Sequence, residues 1–316
     1  MGLAVAVLAG GLSFEREVSL RSGRRVAEAL TARGHRVSRL DLDHHLVAGL
    51  AEGGFDIAYL ALHGRAGEDG TIQGLLELLS VPYTGPDAVT SALTWDKAVF
   101  KGLLRRAGLP TPDWVAISSD AVRDMGAGKT LERVIERLGT PLVVKPSQGG
   151  ASMGVRTASV PRDLAGALVS AFSHHQVALI ERFVAGTEVA VSLVDGEVLP
   201  AVEIVPREGA AYDFAARYTA GATEFFAPAR LPTAVLAACS EVALAAYELA
   251  DCRHITRADL IVDPDGQPWL LELDTCPGMT ETSLVPMAAA AAGWDFADLV
   301  ERVVTLAAET GAPVGV

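Results

Sequence analysis

Short apolar runs alternate with helix-patterned segments through roughly the first eighty residues, and this alternation narrows the fold more than any other feature of the chain. Leu3 to Leu8 reads as a strand, Gly10 to Ser13 as a turn, and Val18 to Arg33 as a helix with Leu20, Val26, Ala27 and Leu30 as its apolar positions. Strand patterns return at Arg36 to Leu42 and Ile57 to Leu62, followed by a helix from Gly70 to Leu79. Such an order predicts an α/β fold with a parallel sheet, whose ligand loops lie at the carboxyl ends of the strands. The loops after Leu8 and Leu62 are therefore the first places to look for a binding site.

The pattern changes after a break near VPYTGPDAVTSAL. Trp95 to Ala107 and Leu131 to Leu138 read as helices, PLVVKPS and ALIERFV as strands, and QGGASMGV as a glycine-rich loop. EVAVSLVDGEVLPAVEI reads as two strands around a strong hairpin signal at Asp195-Gly196. A long Ala-rich helix from about Thr233 to Ala250, two strands RADLIVD and PWLLELD joined at PDG, and a closing helix from about Asp295 to Ala308 complete the chain. The C-terminal part thus has α+β character, and the punctuation predicts three domains: 1–90, 91–183 and 184–316.

Composition excludes several classes. A net charge of -13 argues against a broad nucleic-acid footprint or an anionic membrane surface, though not against a phosphorylated small molecule met by a local cation cluster. No run of about 18 apolar residues suggests a membrane span, and MGLAVAVLAGG lacks the basic flank of a signal peptide. Cys239, Cys252 and Cys276 show no CxxC spacing and cannot all pair, which fits a reducing, cytoplasmic setting.

The densest chemistry lies in LLELDTCPGMTETSL, residues 270–284. Glu272 and Asp274, two apart on a strand, point to one face, where they repel and raise one another's pKa unless positive charge sits between them. The turn at PDG folds RADLIVD beside this strand and brings Asp259 onto the same surface. Three hard oxygen ligands with no His or Cys suit Mg²⁺ shared with a nucleotide's phosphates. The alternative is a pair of solvent-facing carboxylates, against which stand the apolar neighbours Leu270, Leu271 and Leu273. Lys145, directly before QGGASMG, can grip a phosphate with charge and loop amides together, and Lys97 and Arg217 are further candidate cations. GAGKT at 126–130 mimics the end of a P-loop, but Arg123 stands where the pattern needs its first glycine, so it is read as a loop leading into a helix.

Taken in order, LAGGLSFEREVSLRSG, ALHGRAGEDGTIQGLLELLSVPYTG, SALTWDKAVFK, PLVVKPSQGGASMGV, IERFVAGTEVAV, YDFAARYTAGATEFFAPA, TRADLIVD and LLELDTCPGMTETSLVPM resemble the D-alanine:D-alanine ligases of the ATP-grasp superfamily across nearly the whole chain. The resemblance implies ATP-dependent joining of two D-alanines through an acyl phosphate, in the cytoplasm and for peptidoglycan synthesis. The nucleotide is expected between the central and C-terminal domains. It further implies Mg²⁺, two ions with Mn²⁺ as a substitute, and a homodimer formed through the N-terminal domain.

Carried over residue by residue, the resemblance assigns Asp259, Glu272 and Asp274 to metal and Lys97, Lys145 and Arg217 to phosphates. Glu181, Phe183, Val184, Glu188 and Leu271 fall to the adenosine part. Glu15 is expected to hold the first D-alanine's ammonium, with His63 close to its carboxylate, and Arg257 with the Gly278 amide to stabilise the tetrahedral oxyanion. Ser283 and Leu284 match the second substrate's carboxylate site, Tyr218 closes over the pocket, and Ser152 is a catalytic candidate in the glycine-rich loop.

Structural alternatives stand beside these roles. Glu15 fits a helix cap, His63 a hydrogen-bonded structural histidine, Tyr218 core packing, and Arg257 an ion pair with Asp259. Three departures from the family pattern also bear on function. Ala151 replaces a serine whose hydroxyl is expected to bond the loop tyrosine and first-site glutamate, Arg217 replaces a lysine, and Asp274 replaces an asparagine. Two rival functions therefore remain open from sequence: a related dipeptide ligase of specialised metabolism, and a catalytically silent nucleotide-binding regulator.

Overall fold

A computed structural model describes residues 2–207 and 221–311 of the chain. Its first sheet is parallel, ordered β2-β1-β3, from β1 (Ala4–Leu8), β2 (Arg36–Leu40) and β3 (Ile57–Leu60). All five residues of β1 are buried, as a central parallel strand covered on both faces requires. The helices Arg16–Ala32 and Thr71–Leu78 follow their strands as the alternation predicts, and a helix at Leu46–Glu52 adds to that reading.

Where one helix from Trp95 to Ala107 is expected, two helices form, Ala88–Trp95 and Lys97–Arg106, separated at Asp96. Asp96 has extended backbone, and its carboxylate caps the second helix by accepting from Ala98 N and Val99 N at 3.1 and 3.3 Å. Lys97 therefore opens a helix rather than lying inside one.

The second sheet, ordered β4-β7-β5-β6, is antiparallel and contains β4 (Trp114–Ser118), β5 (Leu142–Pro146), β6 (Arg156–Ala158) and β7 (Val177–Arg182). GAGKT lies away from it, at the exposed start of the helix Ala127–Leu138, so the P-loop mimic has no phosphate-facing geometry.

The third sheet is built from β8 (Thr187–Val194), β9 (Glu197–Val198), β10 (Val202–Pro206), β11 (Thr223–Phe226), β12 (Ile255–Val262) and β13 (Pro268–Asp274). Asp195 and Gly196 both have positive φ, 52° and 77°, which is the mirror-image turn that a tight hairpin needs. The β12–β13 hairpin forms as predicted, with Arg257 opposite Asp274 and Asp259 opposite Glu272, before a bulge after Asp259 shifts the register.

The helix Phe296–Thr310 packs against Arg16–Ala32, and its Val300, Val303 and Val304 share one core with Val5 and Val7 of β1. The end of the described chain thus covers the first sheet, while Ser22 and Arg25 of the helix Arg16–Ala32 and His63 after β3 bond the segment 276–280. Among the described residues, no helix is long and apolar enough to cross a membrane.

Candidate active site

Two adjoining cavities meet where the glycine-rich loop approaches the acidic hairpin, and Lys97, Gly149, Gly150 and Glu272 line both. The larger, about 540 Å³, lies between the second and third sheets and has room for a nucleotide. Lys145, Glu181, Phe183, Val184, Glu188, Leu271 and Ser152 line it, so the sequence-predicted adenosine and phosphate residues share one cleft. The smaller cavity gathers Glu15, His63, Ala151, Arg257, Asp274, Gly278, Ser283 and Leu284. Arg217 and Tyr218 lie outside the described residues.

The charge that separates the hairpin carboxylates comes from side chains. Arg257 forks onto Asp259, with Nε 2.6 Å from Oδ1 and Nη2 2.8 Å from Oδ2, and its Nη1 stands 2.9 Å from Asp274 Oδ2. Lys97 Nζ lies 3.1 Å from Glu272 Oε2 and donates to the Gly149 carbonyl at 2.6 Å. Cationic side chains thus stand among the three carboxylates expected to bind metal, and among the described residues no group of three or more His, Cys, Asp or Glu is drawn together. The register explains it, because Arg257 lies opposite Asp274 and two residues from Asp259, placing its guanidinium between them. The ion-pair alternative for Arg257 is therefore realised, with Arg257 still lining the cavity.

At the floor of the larger cavity, Lys145 Nζ meets Glu181 Oε2 at 2.7 Å. Lys101, which sequence reasoning missed, meets the other oxygen, Oε1, as an ion pair at 2.7 Å, although no well-aligned hydrogen bond reaches that oxygen. Burial pushes the Glu181 carboxyl up, but the two ammonium groups outweigh it and hold it below its usual range. Burial likewise drives the Lys101 ammonium down to about 8 despite the pull of Glu181. The available signal was spacing: Lys101 follows Lys97 by one helical turn, on the face that buries Phe100 and Leu104.

Glu15 is the residue before the helix Arg16–Ala32, but its side chain makes no cap hydrogen bond. It is buried against the glycine-rich loop, so close that a Cβ on Gly150 would stand 2.6 Å from its Oε2. Ala151 and Ser152 have positive φ, 50° and 56°, which turns Ala151 toward the smaller cavity and Ser152 toward the larger.

His63 also lines the smaller cavity, but both its ring nitrogens are engaged. Nε2 lies 3.1 Å from Ser22 Oγ, and Nδ1 lies 3.1 Å from the Cys276 carbonyl. A carbonyl only accepts, so Nδ1 carries the proton and Nε2 accepts from Ser22, whose oxygen in turn accepts from Met279 N at 3.1 Å. Burial lowers the pKa of this imidazole. The ring is thus a hydrogen-bonded histidine that still lines the cavity, and it ties the helix Arg16–Ala32 to Cys276, just ahead of the PGMT turn at 277–280.

Glu68, also missed, accepts from Gly64 N at 2.9 Å and lines the same cavity. Desolvation, with Asp274 and Glu15 adding to it, pushes its carboxyl well above the usual range, although the residue keeps some accessible surface on the cleft side. Ser283 precedes the helix Leu284–Ala291, and its Oγ accepts from Thr280 N at 2.9 Å, fixing the turn that carries Gly278. The amino end of that helix borders the cavity, a placement that favours an anion.

Two sheets closing over a cleft, with lysines on one wall and carboxylates on the other, define an ATP-grasp protein. The family profile described as D-ala D-ala ligase C-terminus matches residues 103–305, and that described as D-ala D-ala ligase N-terminus matches residues 48–86. The chain is 47% identical over 307 residues to a D-alanine--D-alanine ligase of Anaeromyxobacter sp. (strain K), covering 97% of each chain. It is 43% identical over 312 residues to that of Pelotomaculum thermopropionicum, covering 98% of each. Among solved structures, the Bacillus anthracis D-alanine--D-alanine ligase complexed with ATP superposes with a TM-score of 0.84 at 31% identity, covering 98% of both chains. The VanG D-Ala:D-Ser ligase of Enterococcus faecalis also superposes with a TM-score of 0.84, at 25% identity over 97% of this chain and all of that one. The chain belongs to the D-alanine--D-alanine ligase family.

Proposed function

We propose that this protein joins two D-alanines into D-alanyl-D-alanine at the expense of ATP, as a cytoplasmic step of peptidoglycan precursor synthesis. The observation that carries this reading is the junction of the cavities at Lys97 and Glu272, where a nucleotide's terminal phosphate and an amino-acid carboxylate can meet. A catalytically silent nucleotide-binding regulator has no use for a second cavity, furnished with Glu15 and Arg257, opening beside the nucleotide cleft.

The larger cavity takes ATP. Phe183, Val184 and Leu271 flank the adenine, Glu188 faces the ribose, and Lys145 with the loop from Gly149 to Ser152 holds phosphate oxygens. Glu15 receives the first D-alanine's ammonium and turns its carboxylate toward Lys97. The γ-phosphoryl group passes to that carboxylate, giving an acyl phosphate and ADP. The free amine of the second D-alanine, its carboxylate at the amino end of the helix Leu284–Ala291, then attacks the acyl carbon. Arg257 and the Gly278 amide stabilise the oxyanion until the carbon–phosphate oxygen bond breaks and phosphate leaves. The work is mostly positioning and charge neutralisation.

The all-oxygen donor set of Glu272, Asp274 and Asp259 fits Mg²⁺ chemically, with Glu272 and Asp274 reaching the cavity and Asp259 behind them. Held there, one such ion or two would supply positive charge to the phosphates beside Lys97 and Lys145. Arg217 and Tyr218, which lie outside the described residues, are proposed to contribute a phosphate-binding cation and a tyrosine to this site. The organisation is three domains, 1–90, 91–183 and 184–316, in a chain that pairs as a homodimer.

Phosphate release, measured with ATP and a panel of D- and L-amino acids including D-serine, tests the reading. Release with D-alanine alone, together with formation of the dipeptide, is expected. Release only with other amino acids, or with none, overturns it. Ala151 makes the panel necessary, because a hydroxyl expected next to Glu15 is absent.

A further inference from the structure

Lys101 is fully buried, with 0% side-chain exposure, and its partner Glu181 retains only 3%. A buried lysine needs compensation, and Lys101 finds it on three sides. Its Nζ pairs with Glu181 Oε1 at 2.7 Å, donates to Thr111 Oγ1, and lies 5.5 Å from the centre of the Trp114 ring. The Thr111 hydroxyl donates its own hydrogen bond to the Leu270 carbonyl at 2.8 Å, so its oxygen is left to accept from Lys101.

The arrangement is unbalanced in charge. Among the described residues, Glu181 is the one carboxylate that ion-pairs with either Lys101 or Lys145. Two ammonium groups therefore share one carboxylate at the floor of the larger cavity. Lys101 is sealed from the cavity, whereas Lys145 lines it. If Glu181 had Lys145 alone, the pair would close on itself as a neutral unit and present little field to a ligand. Division of the carboxylate between two cations leaves a net positive charge, and the only accessible bearer of it is Lys145.

We propose that Lys101 is a positioning residue for nucleotide binding, which by engaging one oxygen of Glu181 leaves Lys145 charged and aimed at the phosphates of the bound nucleotide. This rests on the ATP reading given above and adds a residue that never touches the nucleotide. Lys97 and Lys101, one turn apart on the helix Lys97–Arg106, then act on the two ends of the phosphate chain, the first directly and the second through Glu181 and Lys145.

The test compares wild type, Lys101→Met, Lys101→Gln and Lys101→Arg by calorimetric titration with ADP and Mg²⁺, alongside melting temperature and the KM for D-alanine. Lys101→Met is expected to weaken ADP binding by about tenfold or more while the KM for D-alanine stays within about twofold. Lys101→Arg, which returns the buried positive charge, is expected to restore most of the affinity. A purely structural ion pair predicts otherwise: Lys101→Met would lower the melting temperature while the folded protein bound ADP as the wild type does, and that result overturns the proposal. Should Lys101→Met fail to fold, Lys101→Gln, which keeps a hydrogen-bond donor toward Glu181 without the charge, decides. A loss of ADP affinity of about tenfold supports the proposal, and affinity within about threefold of wild type overturns it. Failure of the wild type to bind ADP overturns the ligase reading and this inference together, whereas a binding wild type with an equally binding Lys101→Met variant overturns only the latter.

Discussion

Lys97 Nζ stands 3.1 Å from Glu272 Oε2, which ties the amino end of a helix in the middle of the chain to the acidic hairpin near its end. The same ammonium bonds the Gly149 carbonyl, so three distant segments meet at one cation. Glu272→Gln keeps the shape and a hydrogen-bond acceptor at this point but removes the charge that Lys97 balances and a divalent cation would need. Turnover by phosphate release is expected to fall by at least about a hundredfold with the melting temperature nearly unchanged. Retention of activity would rule out a charged role for Glu272.

Arg257 and Asp259 are both almost fully buried and bonded through two parallel contacts. Arg257→Ala leaves the Asp259 carboxylate without that fork and is expected to destabilise the fold by about 3–5 kcal/mol in denaturant unfolding. Arg257→Lys returns a charge but not the planar fork. It should recover much of the stability while leaving kcat depressed by about a hundredfold, because one point charge cannot serve Asp259, Asp274 and an oxyanion together. Equal recovery of stability and kcat would show that charge alone suffices.

Gly150 carries no side chain because Glu15 occupies that space, and an added Cβ would lie 2.6 Å from Glu15 Oε2. The carboxylate is the flexible end of a side chain, so in Gly150→Ala it is expected to yield while the backbone holds. The KM for the first D-alanine should rise by about tenfold, with little change in the KM for ATP or in the melting temperature. A change confined to ATP would place Glu15 outside the amino-acid site.

His254 is buried between Gly85 N, which donates to its Nδ1 at 3.2 Å, and Thr310 Oγ1, 3.0 Å from Nε2. Burial, reinforced by the neighbouring Arg253 guanidinium, pushes the imidazole from its ordinary 6.5 down to about 4. As pH falls through 6.5 the unfolded chain takes up a proton that the folded one refuses until about 4, so acid favours unfolding. The stability contributed by this group is complete above pH 6.5 and declines by up to about 3 kcal/mol as pH falls toward 4. His254→Asn, which tolerates the positive φ of 60° at this position, is expected to remove that part of the slope in unfolding measured at pH 7 and pH 4.5. Parallel losses in wild type and variant would assign the acid sensitivity to other groups.

Much of the architecture was legible because it depends on local periods. The strands at 4–8, 36–40 and 57–60, the hairpin at Asp195-Gly196 and the pairing of RADLIVD with PWLLELD all follow from alternation and turn chemistry within a few residues. The same periods put Glu272 and Asp274 on one face and demanded positive charge there. The division into two helices at Asp96 is not legible in the local pattern, because the proline and glycine ahead of Ala88–Trp95 give a turn signal and the extended backbone at Asp96 shows only in the fold.

The amino-acid order by itself thus determined the alternation of the first sheet, the main hairpins, the family, and most of the residues that line the two cavities. Tertiary structure alone decided who neutralises whom: Arg257 on Asp259, Lys97 on Glu272, Lys101 and Lys145 dividing Glu181, and Ser22 with Cys276 engaging both nitrogens of His63. Local pattern is set by steric and apolar periodicities that act over one or two turns. A charge partner is set by which distant segments fold into contact and how much water they exclude, and neither quantity is written in the spacing of residues along the chain.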